Sequence, residues 1–253
     1  MFLSTIYIFF GTILCYVTAQ YNETNQIYNF KAEKDQALVD NHEKLYSNCA
    51  EATAYSQTSG VYQIYIPQYI EHPFRVACDA KTQGGGWAII LNRMDGSVNF
   101  YRKWNTYKNG FGDLDGEFFL GLDKIYALTA DYSQELLVIL EDFQGKIVFE
   151  RYEKFAISGE DEEYALNTLG KASGTAGDSL SYNYCQKFAT FDRDNANNCA
   201  KNRSGAWWYN NCSAANLAGT YNGTDRNCIY WNDFHNVVSL KRATMMIRPR
   251  KSS

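Results

Sequence analysis

Hydrophobic and polar positions divide the 253-residue chain into four stretches. The first, MFLSTIYIFFGTILCYVTA, carries no charged side chain, and Val17 and Ala19 stand where a signal peptidase reads before Gln20. A cleaved signal peptide over 1–19 is expected, with an uncleaved signal anchor as the alternative. Residues 20–46 are polar, and KAEKDQALVDNHEKLY is made of helix formers. Phe30, Leu38 and Leu45 are too few for a heptad seam, so a tail or short helix is expected. From Cys49 the texture changes to short apolar and aromatic runs punctuated by glycine, the signature of strands and turns. Residues 135–143 and 146–157 form two β-rich arms around Gln144-Gly145, a hairpin by pattern in which Ile147 and Phe149 share a face. The run 117–128 has helical spacing, with Phe118, Leu122, Ile125 and Tyr126 on one side. The fourth stretch, about 180–235, is rich in Asn, Gly and Asp, shows little periodicity, and is expected to be loops held by crosslinks or ions. The fold class is α+β.

Composition narrows the class. Apolar residues are 45% of the chain, with 20 Tyr, 15 Phe and 5 Trp, enough for a core and incompatible with global disorder. The net charge is −4 with no basic arm, so nucleic acid is not an expected partner. No second apolar run of spanning length follows residue 19, so no membrane span is expected in the mature chain. Removing the leader removes Cys15 and leaves six cysteines, an even number suited to an oxidising, extracellular location. Sequons begin at Asn22, Asn202, Asn211 and Asn222. Glycosylation is expected at Asn22, Asn202 and Asn222, but not at Asn211, whose sequon contains Cys212.

A series of strings, in order and at near-family spacing, resembles the fibrinogen-related domain, the globe of fibrinogen chains, ficolins, tachylectins and angiopoietins. They include SGVYQIYIP (59–67), GGGW (84–87), RMDGSVNFYRKW (93–104), LEDFQGK (140–146), GTAGDSLSY (174–182), KFATFDRDN (187–195), GAWWYNNC (205–212) and SLKRATMMIRP (239–249). The resemblance covers roughly 47–250. It implies a small N-terminal subdomain, a central twisted antiparallel sheet with helices, and a loop-rich C-terminal subdomain that carries the binding sites. It also implies the disulfides Cys49–Cys78 and Cys199–Cys212. Cys185 and Cys228 remain, both in the C-terminal subdomain, and a third bridge between them is expected for a secreted chain, with two free thiols as the alternative.

The resemblance further implies a Ca²⁺ site at Asp192, Asp194 and the carbonyls of Ala196 and Asn198. Two carboxylates and alternate carbonyls suit a hard cation. Only four residues separate Asp194 from Cys199, fewer than the family segment usually has, and an Asx-rich turn is the alternative. The twelfth position from Asp192 is Arg203, so no EF-hand is present. Family lectins bind acetyl groups beside a cis peptide before the second cysteine of the bridge, which Asn211-Cys212 resembles. Ser213 stands at the usual histidine position and Arg203 at a common tyrosine wall, while Asp225 and Arg226 fall nearest the usual Tyr-Ala pair. A pocket of Arg203, Asn211, Cys212, Ser213, Asp225 and Arg226 favours an anionic or strongly hydrogen-bonding ligand over an acetyl methyl. Trp207, Trp208 and Tyr209 are expected inside the subdomain rather than as a sugar-stacking platform.

No enzyme is expected: His42, His72 and His235 are the only histidines, no metalloprotease, nucleophile-elbow or phosphate-loop motif occurs, and the acidic runs look like solvated faces. The expectation is a secreted lectin-like protein that binds carbohydrate, acetylated or anionic groups on cell or microbial surfaces, with a role in innate defence. The alternative is a signalling or adhesion ligand for a receptor ectodomain. Avidity for sugars would call for a homo-oligomer, through residues 20–48 or a globe-to-globe contact.

Overall fold

The structure, a computed structural model, describes residues 44–131 and 133–250. The expected signal peptide, the tail up to residue 43 and the Asn22 sequon lie outside the described residues.

One ten-stranded antiparallel sheet organises the globe. Its path runs β1 (Gly60–Ile64), β2 (Phe74–Asp79), β3 (Trp87–Arg93), β12 (Arg242–Pro249), β6 (Gln134–Glu141), β7 (Ile147–Ala156) and β8 (Thr168–Leu169). Three short strands join its margins: β5 (Phe118–Phe119) pairs with β3 and β4 (Phe111–Gly112), and β9 (Ala172–Gly174) pairs with β7. The last strand in sequence, β12, inserts between β3 and β6 in the middle of the sheet. In β6 the continuous apolar run Leu136–Leu140 replaces the alternation of a half-exposed strand, because both faces of this central strand are covered. Leu136, Val138 and Leu140 belong to the main core, whereas Leu137 packs with Trp87 and Met246 in a smaller cluster on the other face.

The expected hairpin forms from β6 and β7. Asp142 closes its turn by accepting from the amides of Gln144 and Lys146, and Gly145 supplies the positive φ of 84° that the turn requires. Ile147 and Phe149 share a face as expected, but it is the outer one; Val148, Glu150 and Tyr152 point into the core. The helical expectation for 117–128 is half corrected. Phe118 and Phe119 form β5, Gly121 breaks the run at φ 117°, and only Leu122–Ala130 is helical.

Helix α1 (Cys49–Ser56) starts at Asn48, whose side chain accepts the Glu51 amide, while Glu51 reaches back to Ser47. The Cys49–Cys78 bridge fastens it to β2, as the resemblance implies. Helices α2 (Trp104–Asn109) and α3 (Leu122–Ala130) pack against each other, and α3 also lies on β7. Beyond β9 the chain is mostly loop, as expected, with a two-stranded ribbon of β10 (Ala215–Asn216) and β11 (Tyr230–Trp231) and the short helices α4 (Cys199–Arg203) and α5 (Asn232–His235). An aromatic core of Trp104, Tyr107, Phe188, Trp207, Trp208 and Tyr209 holds this region to the sheet.

One buried carboxyl in the joint gives a stability prediction. Glu150 on β7 is 2% exposed and accepts the Gly177 amide at 2.9 Å. Burial, with Asp178 and Asp233 adding repulsion, raises its pKa above the ordinary carboxylate value. A raised folded-state pKa gives stability that is present at low pH and is lost as pH rises through the folded value. Glu150→Gln keeps the amide's acceptor and removes the charge, so its thermal midpoint should exceed wild type at pH 7.5, with the gap closing near pH 4. A variant less stable than wild type at neutral pH contradicts this account.

Candidate functional site

The loop from Phe188 to Cys199 is fixed first by backbone pairing: Ala189 and Trp207 exchange amide-to-carbonyl bonds of 2.9 and 3.2 Å. Asp192 Oδ1 accepts from the Trp104 amide at 2.9 Å and the Thr190 hydroxyl at 2.7 Å, which ties the loop to α2. Asp194 turns the other way. Its Oδ1 accepts from the amides of Asn195 and Ala200 and its Oδ2 from Lys201, so the carboxylate caps the first turn of α4. Asn195 completes the cap by accepting the Cys199 amide, and its Nδ2 donates to the carbonyls of Tyr209 and Asn210. The Asn198 carbonyl accepts the Asn202 amide.

The residues of the calcium set that the resemblance implied lie together in this loop, partly engaged as hydrogen-bond acceptors. Of the four expected contributors, Asp194 and the Asn198 carbonyl accept backbone amides, and Asp192 Oδ2 and the Ala196 carbonyl accept no hydrogen bond among the described residues. Among the described residues no group of three or more His, Cys, Asp or Glu side chains is arranged to hold a metal ion. In the shortened segment Asp194 lies close enough to α4 to cap it.

The Cys199–Cys212 bridge is present and joins the start of α4 to the Asn211-Cys212 peptide, which is cis. Asn211 is exposed and its carbonyl accepts the Tyr182 hydroxyl at 3.1 Å. Ser213 is corrected as a pocket residue. It is buried, its hydroxyl sits between Asn183 Oδ1 and the Ala215 carbonyl, and it accepts the Ala215 amide at 3.1 Å. The Ser213 side chain therefore faces inward. Trp207, Trp208 and Tyr209 are at most 2% exposed, in line with the packing role expected for them.

Arg203, Asp225 and Arg226 do come together, because α4 packs on the 3-10 turn Asp225–Asn227. Asp225 and Arg226 are exposed and Arg203 is half-buried. Beneath them the Tyr230 hydroxyl donates to the Ser213 carbonyl, and the Tyr209 hydroxyl donates to Asn216, whose amide donates to the carbonyls of Arg203 and Cys228. Burial pushes both tyrosines up in pKa; Arg203 opposes the rise at each, and Arg226 also opposes it at Tyr230. Beside the capped loop lies a surface cavity of about 600 Å³ lined by Glu163, Cys185, Phe188, Ala196, Tyr209 and Asn210.

The expected bridge between Cys185 and Cys228 is absent; both are free thiols. Cys185 is exposed, at φ 63° in a turn whose amide bonds to the Leu166 carbonyl, whereas Cys228 is buried beside Thr220 and Asn216. The parity of the cysteine count carries no information on these opposite placements. Burial raises the Cys228 thiol pKa. Asn202 and Asn222 are exposed, as glycan acceptors must be. Features unseen in the sequence are Asn183, which bonds to Trp208, Cys212 and Ser213, the exposed Tyr182, whose hydroxyl bonds to Asn211, and the exposed Tyr184 two residues on. Tyr182 lies in a family-like string, but no periodicity marks either as exposed.

A single large antiparallel sheet and a loop-built region stapled by Cys199–Cys212 define a fibrinogen-like globe. The chain belongs to the family described as fibrinogen beta and gamma chains, C-terminal globular domain, matched over residues 45–250. It is 41% identical over 217 residues to human angiopoietin-related protein 6 (81% of this chain, 45% of the relative) and 44% identical over 207 residues to human microfibril-associated glycoprotein 4 (76% and 80%). The chain thus spans under half the length of the angiopoietin-related proteins it matches. The solved fibrinogen-like globe domain of human ANGPTL2 superposes with a TM-score of 0.77 at 40% identity, covering 81% of this chain and 99% of that one. Lamprey fibrin D-dimer, solved with the peptide ligand Gly-His-Arg-Pro-amide, superposes at 0.75 and 27% identity, covering 99% and 94%. The fibrinogen-like globe is a non-enzymatic domain, in line with the sequence analysis.

Proposed function

We propose that the protein is a secreted extracellular ligand whose globe binds a glycoprotein partner, a receptor ectodomain or matrix component, through the face around Tyr182, Tyr184, Asn211 and α4. Similarity to angiopoietin-related proteins and to microfibril-associated glycoprotein 4 supports the class, and the apolar leader over 1–19 supports secretion. The observation that carries the choice over a calcium-dependent acetyl lectin is the inward, hydrogen-bonded Ser213 beside a loop whose Asp194 is engaged as a cap. In place of an acetyl pocket the face offers Tyr182 and Tyr184, 46% and 44% exposed, and aromatic side chains with a polar tip make effective interface anchors.

Calcium independence is the first test. Chelation should leave the thermal midpoint unchanged within error, while Asp194→Ala should lose about 1 kcal/mol with or without the ion, the usual cost of a lost cap. A midpoint that rises with added Ca²⁺ and falls on chelation would restore the metal site. Binding is the second. Surface-immobilised protein should capture a partner ectodomain from a panel in a chelator-insensitive way that N-acetylglucosamine does not compete, and Tyr182→Ala/Tyr184→Ala should weaken that capture at least tenfold. Retention on acetyl sugars that requires calcium would overturn the proposal in favour of the lectin.

A further inference from the structure

Arg203 is an anomaly on this face. Its Nε is buried without a hydrogen-bond partner, and its guanidinium makes no ion pair among the described residues. Other buried arginines of the globe are fully engaged: Arg93 bonds to Glu117 and two carbonyls, and Arg248 to Glu135 and two carbonyls. Buried donors are rarely left unpaired, and an orphan in a native structure calls for a reason. Arg226, on the turn that α4 packs against, is exposed and also makes no hydrogen bond or ion pair among the described residues. Both guanidinium charges are felt at the Tyr230 hydroxyl, so the two cations face one locality from touching elements. Asp225 lies beside Arg226 but forms an ion pair with neither arginine. Two cations on touching elements, neither in an ion pair among the described residues, are stabilised by an anion, and the planar guanidinium fork matches a carboxylate or sulfate with paired hydrogen bonds.

We infer that Arg203 and Arg226 form a binding site for the acidic group of a glycan, a carboxylate or sulfate on a sugar ring. A sugar is favoured over an acidic peptide because the exposed ring of Tyr182, whose hydroxyl donates to the Asn211 carbonyl of the bridged loop, offers a flat face suited to a pyranose. The inference rests on reading this face as the binding face, and it names the chemistry the partner's glycan brings.

The test is calorimetry on the full secreted chain with a heparin-derived sulfated disaccharide, sialyllactose, neutral lactose and an Asp/Glu peptide of matched charge. One or both acidic sugars should bind at least tenfold more tightly than lactose and the peptide. Arg203→Gln and Arg226→Gln should each raise that Kd at least fivefold, Arg203→Lys should do so as well through loss of the fork, and Arg75→Gln, an exposed arginine on β2, should change nothing. Should Arg203→Gln fail to fold, Arg226→Gln decides alone. Equal binding of acidic sugar and lactose, an unchanged Kd in Arg226→Gln, or peptide binding as tight as the sugar each overturns the inference. Failure here is separable from failure of the proposed function: the ectodomain capture of wild type is read without added sugar, and it stands or falls on the tyrosine variants.

Discussion

Arg93→Ala should destabilise the globe by about 3–5 kcal/mol, the cost of stranding a buried charge by removing its partner. Arg93 and Glu117 have side chains no more than 1% exposed, with Nε to Oε1 at 3.4 Å. The guanidinium also donates to the carbonyls of Leu217 at 3.0 Å and Gly219 at 2.8 Å and lies 3.8 Å from the Phe100 ring. Glu117 in turn accepts the amides of Met94, Asp95 and Val98. The pair thus bolts the turn after β3 to the loop 217–219 of the binding region, and its loss leaves orphans on both sides. Burial works to raise the Glu117 pKa, but the Val98 and Met94 amides and Arg93 outweigh it, and the net shift is downward from 4.5. A depressed folded-state value gives stability present at neutral pH and lost as pH falls through that value. Urea unfolding should therefore show Glu117→Gln far weaker than wild type at pH 7, with the difference shrinking in acid. A cost below about 1 kcal/mol for Arg93→Ala, the level of an exposed ion pair, would refute this account of the joint.

The second large effect is expected from the bridge in the loop region. Cys199 and Cys212 are 13 residues apart, and for a loop of that size a disulfide contributes about 3 kcal/mol, chiefly by restricting the unfolded chain. Cys199→Ser/Cys212→Ser should lose that amount, and hydrogen exchange should rise over 188–213 well before it rises in β6 and β12, since the central ladder does not depend on the bridge. Cys185→Ser should stay within about 0.5 kcal/mol of wild type, as an exposed free thiol makes no comparable contribution. Equal losses from Cys185→Ser and the double variant would mean that Cys185 is bridged after all.

Much of the scaffold was readable in the linear pattern. The hairpin of β6 and β7 follows from two β-rich arms and a Gln-Gly turn, and the family strings implied the two bridges that form. The misreadings have a common source. Phe118 and Phe119 fit a helical stripe equally well as a strand until Gly121 adopts its positive φ. Short apolar runs do not carry that choice; their neighbours make it.

The sequence by itself determined an α+β globe over 47–250, its family, its lack of catalytic apparatus, and the loop-built character of the segment around residues 180–235, because these are written in local patterns and motif order. Tertiary structure alone decided which polar groups of that segment remain available. Asp194 is drawn into capping α4, Ser213 is folded under the Asn211-Cys212 peptide, Cys185 and Cys228 take different environments, and Arg203 is left with a buried, unpaired Nε. Each outcome depends on which backbone amide or carbonyl lies within about 3 Å of a side chain, a distance set by segments remote in sequence and so invisible to any local pattern.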